Sequence, residues 1–174
     1  MKEMMRYGLI LALICIVAGG LLATVNSITE SKIIARARAE EESNLTGLLS
    51  GAVRFESVKS KDEIIYYKGY NADNQFIGVV FKASGKGYSS VIDTMVAMAK
   101  DGTIKAIKVL SQNETPGLGS RVAEESFTGR FANKNTDGLR DIQAITGATI
   151  SSKAVIDSVA KKAEEIKALL NTQQ

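Results

Sequence analysis

The sequence predicts an α+β protein: a single N-terminal transmembrane helix followed by a domain with a mainly antiparallel sheet and packed helices. Three observations carry this. Tyr7 to Thr29 is a run of 23 residues without a charge. Asp101-Gly102 lies between two apolar strand-like segments, a strong hairpin signal. Val155, Ile156, Val159, Ala163, Ile166 and Leu170 recur at spacings of three and four, the stripe of one helix face. Strands first and helices last argue for an antiparallel sheet with helices on it, not a doubly wound fold.

The uncharged run is long enough to cross a bilayer, which takes roughly 20 residues. Its length also favours an uncleaved anchor over a signal peptide, whose apolar core is usually about 7 to 15 residues long and ends in a small-residue cleavage site. Lys2 and Arg6 precede the span and Lys32, Arg36 and Arg38 follow it, so the count of positive charges leaves its direction open. The chain therefore divides into an anchor (1–29), a charged helical stalk rich in Ala, Arg and Glu (30–44), and a folded domain (45–174).

Within the domain, Leu45 to Val58 carries Gly47 and Gly51 and resists assignment beyond a turn of helix and a strand. Glu63 to Tyr70 and Phe76 to Lys82 read as strands joined by the turn residues Asn71 to Asn74, and Gly85-Lys86-Gly87-Tyr88 as a flexible loop. Val91 to Lys100 and Thr103 to Ser111 are nearly unbroken apolar runs, so both are expected in the middle of a sheet, covered on both faces. A short helix is expected over Arg121 to Phe127, with Phe127 and Phe131 as core plugs.

Composition excludes several chemistries. With 22 Lys+Arg against 19 Asp+Glu, the charge of +3 implies no basic patch and no nucleic-acid partner. There is no His, and the single Cys15 lies in the apolar run. Haem, iron–sulfur clusters, zinc sites built on His or Cys, and His-based triads all need side chains the chain lacks. Redox chemistry here would require an organic cofactor. No metal site and no catalytic residue set is expected.

Two loops stand out. Thr146-Gly147-Ala148-Thr149-Ile150-Ser151-Ser152-Lys153 gathers four hydroxyls around a glycine at the start of the last helix. Such a stretch is either a well-capped helix start or a phosphate cradle, because helix N-termini present free N–H groups and a positive dipole end. Glu114-Thr115-Pro116-Gly117-Leu118-Gly119 holds the only proline, and nine residues of turn-type chemistry around it exceed the needs of a plain turn.

These two loops, in this order behind an N-terminal anchor and an Asp-Gly hairpin, resemble those of the membrane-anchored FMN-binding subunits of ion-pumping redox complexes. They are similar to those of the G subunit of the Rnf complex, with the C subunit of sodium-pumping NADH:quinone reductase as a relative. The resemblance implies FMN attached through its phosphate to the last threonine of the [ST]-G-A-T sequence, here Thr149, by a flavin transferase acting on the exported domain. Gln143 stands where that pattern often has an acidic residue, and Asp141 lies two residues upstream.

On this reading Thr146, Gly147, Ala148, Ser151, Ser152 and Lys153 surround the ester phosphate, Pro116, Gly117 and Leu118 lie along the flavin ring, and Glu114 and Thr115 reach its polar edge. The implied function is an electron-relay subunit of a ferredoxin:NAD-type, ion-translocating complex in the cytoplasmic membrane, its domain on the outer face. It would be an electron carrier among other subunits rather than a complete enzyme. The alternative is a membrane-anchored flavin-binding sensor or assembly module without turnover.

Overall fold

The computed structural model describes residues 2–60 and 63–172. The chain forms two compact units, residues 1–43 and 44–174.

The first unit lies within helix α1 (Lys2–Leu48). Its Met4–Glu30 stretch of 27 residues is long and apolar enough to cross a membrane, and the large apolar side chains along it, Leu9 to Ile28 among them, are exposed. An exposed face of this kind is suited to lipid rather than to water.

The second unit is built on a five-stranded antiparallel meander, β1 (Arg54–Ser60), β2 (Glu63–Tyr70), β3 (Phe76–Lys86), β4 (Val91–Ala99) and β5 (Ile104–Ser111), paired in chain order. The Asp101-Gly102 turn joins β4 to β5, with Gly102 at φ +87° where a side chain would be strained. Helix α2 (Glu125–Thr128) and helix α3 (Thr149–Thr172) follow.

The sheet is covered on both sides along its centre. On one face, Val79, Phe81 and Ala83 of β3 and Ile92, Val96 and Met98 of β4 pack with the predicted stripe of α3; Val155, Val159, Ala163 and Ile166 are all fully buried. Phe127 and Phe131 complete this core as plugs, edge to face at 5.5 Å between ring centres. On the other face, Val80, Met95 and Ala97 pack against Leu45 and Leu48 in the last turn of α1 and against Leu49 and Ala52 beyond it. Two-sided burial explains why β4 reads as a nearly continuous apolar run.

The expectation for Thr103 to Ser111 needs correction. β5 is an edge strand, and Lys105, Lys108 and Ser111 are exposed. Its apolar residues include Ala106 and Leu110, which rest only partly buried on the second face. The helix expected over Arg121 to Phe127 is likewise divided, into a 3-10 turn (Gly119–Ala123) and α2. Leu45 to Val58 resolves into the end of α1, a turn with Gly51 at φ +93°, and the start of β1.

Candidate functional site

Three segments meet at one end of the sheet and enclose a cleft of about 550 Å³. The first is the tip of the β3–β4 hairpin. β3 extends to Lys86, so Gly87 to Ser90 form a tight hairpin turn closed by Gly87 N–H donating to the Ser90 carbonyl at 2.8 Å, in place of the flexible loop expected there. Tyr88 at this tip lines the cleft with its side chain exposed.

The second segment follows β5. Leu118 N–H donates to the Thr115 carbonyl at 3.2 Å across Pro116-Gly117, with Gly117 at φ +75°. Proline first and a positive-φ glycine second are the signature of a type II turn. Ser120 Oγ accepts from Gly117 N–H at 3.0 Å and stiffens it further. Thr115, Leu118 and Gly119 line the cleft; Pro116 and Gly117 are exposed on the turn beside it and do not.

The third segment is the stretch before α3, and it repeats the same device. Ala148 N–H donates to the Ile145 carbonyl at 2.9 Å across Thr146-Gly147, with Gly147 at φ +83°. Arg130 anchors the approach to this turn by donating to the Gln143 carbonyl at 2.8 Å. Gly147, Ala148, Thr149, Ile150 and Ser151 line the cleft, and the Leu118 side chain lies 3.6 Å from where a Cβ on Gly147 would stand, joining the second and third walls.

Thr149 is the first residue of α3 and is exposed. The residue before it is Ala148, whose methyl group has no acceptor for a cap. The neighbouring hydroxyls are committed elsewhere: Ser152 Oγ, fully buried, accepts from Ile145 N–H at 3.0 Å, and Ser151 Oγ donates to Glu114 Oε2 at 2.6 Å. Among the described residues, no side chain accepts a hydrogen bond from the amides of Thr149, Ile150 or Ser151. The helix start is therefore not an ordinary capped one. Its first N–H groups and positive dipole end are left for another acceptor at the wall of the cleft. Thr146 and Lys153 are exposed next to this site in the chain without lining the cleft.

Glu114 lines the floor of the cleft and is buried there. Burial raises its carboxyl, but the hydrogen bonds from Ser151 and from the amides of Ser90, Ser89 and Tyr88 outweigh that effect and hold it below the usual glutamate range. It is therefore ionised at neutral pH. Sequence reasoning missed Tyr88, Ser89, Ser90 and Gly87 as members of this site; the Gly-Lys-Gly-Tyr sequence was a signal, but a weak one. No cluster of metal-ligating side chains occurs among the described residues.

The same segments are similar to known proteins. Residues 87–164, which include all three walls, match the family model of the FMN-binding domain, and residues 1–48 match that of the RnfG N-terminal region. The G subunit of the proton-translocating ferredoxin:NAD(+) oxidoreductase complex of Clostridium ljungdahlii is 34% identical over 166 residues, covering 90% of this chain and 88% of that protein. The G subunit of the Na(+)-translocating ferredoxin:NAD(+) oxidoreductase complex of Acetobacterium woodii is 30% identical over 189 residues, covering 91% and 89%. Among solved structures, NqrC of Shewanella oneidensis is similar at 21% identity and a TM-score of 0.48, covering 70% of this chain and 74% of that one. With a relative this similar over nearly its whole length and both family models matched in order, the chain belongs to the RnfG family.

Proposed function

We propose that the chain carries FMN as a phosphoester on Thr149 and serves as the electron-relay subunit of a membrane-bound, ion-translocating oxidoreductase complex of the ferredoxin:NAD type. The observation that carries this reading is the exposed Thr149 hydroxyl on an uncapped helix start, in the wall of a cleft of about 550 Å³. A phosphoester needs a hydroxyl acceptor, and its remaining negative charge needs N–H donors; both are present at one point. The match of residues 87–164 to the FMN-binding domain and the names of the G-subunit relatives support the cofactor and the complex.

The fit of the cofactor rests on the chain's own groups. Thr149 holds the phosphate, with the first-turn amides of α3 as donors and Lys153 as a nearby positive charge. Gly147 and Ala148 leave room at the backbone for the ester and the chain beyond it. Thr146 stands by the same turn, and Thr115 and Leu118 in the cleft, with Pro116 and Gly117 on the turn beside it, would hold the flavin ring. When bound, the flavin supplies the acceptance and release of electrons. The protein binds it, orients it and prevents its loss, and therefore needs no substrate pocket of its own. The other subunits of the complex are its redox partners, a flavin transferase matures it, and α1 anchors it in the cytoplasmic membrane with residues 44–174 on the outer face.

The test is the mass and visible spectrum of denatured full-length protein coexpressed with a flavin transferase. The expected result is one FMN per parent chain and none on Thr149→Ala. A covalent flavin retained by that variant would sink the attachment, and copurification with only a kinase or regulator, instead of membrane redox subunits, would sink the relay.

A further inference from the structure

Among the described residues, Glu114 is the only charged side chain buried in the fold. A buried carboxylate is costly unless its lone pairs are fully used. No Lys or Arg forms an ion pair with it among the described residues. Instead five donors converge on it. Oε1 accepts from Ser89 N–H at 3.0 Å, Ser90 N–H at 2.9 Å and Ser90 Oγ at 3.4 Å, and Oε2 accepts from Tyr88 N–H at 3.1 Å and Ser151 Oγ at 2.6 Å.

Three successive amides turned onto one anion form a nest, an arrangement that selects negative charge. Two glycines keep the space open. A Cβ on Gly87 would stand 2.5 Å from Oε1, and one on Gly119 would stand 2.8 Å from both Oε2 and Ser151 Oγ. A glutamine is no substitute, because its NH2 group would face a backbone N–H on either side. The carboxylate thus ties the hairpin tip that carries Tyr88 to the first turn of α3 that carries Thr149, across 37 residues of chain on the α3 side.

We infer that Glu114 is a positioning residue that holds the Tyr88 wall and the Thr149 wall of the cofactor cleft against each other, acting through the hairpin amides and Ser151. This deepens the flavin reading and rests on it for the identity of the ligand. The tie itself is a property of the protein without ligand. Glu114 sets the shape that the ring meets.

The experiment uses the full-length chain in detergent, both without flavin and with FMN attached. Hydrogen exchange reads the tie in the flavin-free chain; visible circular dichroism reads the asymmetry that the walls impose on the attached ring. In Glu114→Gln, the amides of Tyr88, Ser89 and Ser90 should exchange at least about tenfold faster, as expected for loss of a bond to a charged acceptor, while those of the β3 core stay protected. The visible dichroism of attached FMN should fall as it does in Tyr88→Ala. Ser151→Ala should leave the hairpin amides protected and speed exchange of the Ser152 amide, which donates to the Ala148 carbonyl at 2.9 Å as the first bonded amide at the start of α3. Parent-like exchange and dichroism in Glu114→Gln would overturn the proposal, and so would uniform acceleration over the whole sheet. If Glu114→Gln does not fold, Ser151→Ala decides: parent-like exchange of the Ser152 amide overturns the tie. A parent chain without attached flavin would count against the flavin reading alone, since the exchange arm requires no flavin.

Discussion

Gly85 of β3 lies directly under the Ala154 carbonyl of α3, so close that a Cβ on Gly85 would collide with that backbone oxygen. The contact sets how near the helix comes to the sheet one turn beyond Thr149, and thereby where the acceptor hydroxyl stands. Gly85→Ala cannot be absorbed by a side-chain rotation, because both sides of the clash are backbone. It should destabilise residues 44–174 by about 1–3 kcal/mol, the usual range for overpacking. Urea unfolding checks this: the midpoint should fall with the slope unchanged. Flavin attachment to the folded fraction should fall as well, because α3 has to move away from the cleft.

The ionised Glu114 predicts a pH dependence of stability. Burial alone would raise its carboxyl, but Ser151 and the amides of Ser90, Ser89 and Tyr88 leave it lowered relative to an exposed glutamate. A group lowered on folding adds stability that is fully present above its unfolded pKa, about 4.3 for Glu, and is lost as pH falls through the folded value. Stability should therefore be level from neutral pH down to that range and decline below it. Asp93 acts in the same sense: burial raises its carboxyl, and Ser84, Lys82 and Ser111 outweigh that. Glu114→Gln should flatten the acid limb of the stability curve, and adding Asp93→Asn should flatten it further. A Glu114→Gln curve parallel to that of the parent would contradict the assignment.

The four hydroxyls of the Thr146–Ser152 stretch have different work, and single substitutions separate them. Ser152 is fully buried and accepts from Ile145 N–H. Ser152→Ala leaves that amide without a partner and should cost about 1–3 kcal/mol of stability. Thr146 is exposed, and Thr146→Ala should leave stability within about 0.5 kcal/mol of the parent, as for most surface changes. On the proposed acceptor assignment Thr146→Ala also keeps its covalent flavin, which denatured mass measures directly. Loss of flavin from Thr146→Ala, with retention in Thr149→Ala, would move the acceptor to Thr146.

What was legible in the sequence was local. Asp101-Gly102 marks its hairpin because the turn demands positive φ at that glycine, and the α3 stripe repeats with the helix period. Pro116-Gly117 and Thr146-Gly147 each announce a turn for the same kind of reason. Illegible were the relationships that the meander creates. Nothing near Glu114 in sequence says that three amides some 24 to 26 residues earlier turn onto it. Gly87 and Gly119 read as turn residues, yet what they provide is space beside that carboxylate. The apolar character of Thr103 to Ser111 did not separate a central strand from an edge one, because Ala106 and Leu110 are half-covered by the second face of the sheet. Ser151 and Ser152 look equivalent to Thr146 and Thr149 until α3 fixes which hydroxyls turn inward.

The direction of the anchor makes the last prediction. Met4–Glu30 is the one candidate span among the described residues, and its uncharged run from Tyr7 to Thr29 has Lys2 and Arg6 on one side and Lys32, Arg36 and Arg38 on the other. Positive charge is retained on the cytoplasmic side, so the three charges after the span oppose export of residues 44–174. Long domains nevertheless cross largely regardless of flanking charge, and the relay reading has the flavin on the outer face. Protease added to intact cells with a permeable outer layer should therefore remove residues 44–174 and spare the span. Replacing Lys32, Arg36 and Arg38 together by Gln lowers the opposing charge, so the exported fraction should stay level or rise, with flavin attachment rising in step. A domain protected in the parent and released for cleavage only by cell lysis would reverse the assigned side. It would also leave the attachment at Thr149 testable by mass.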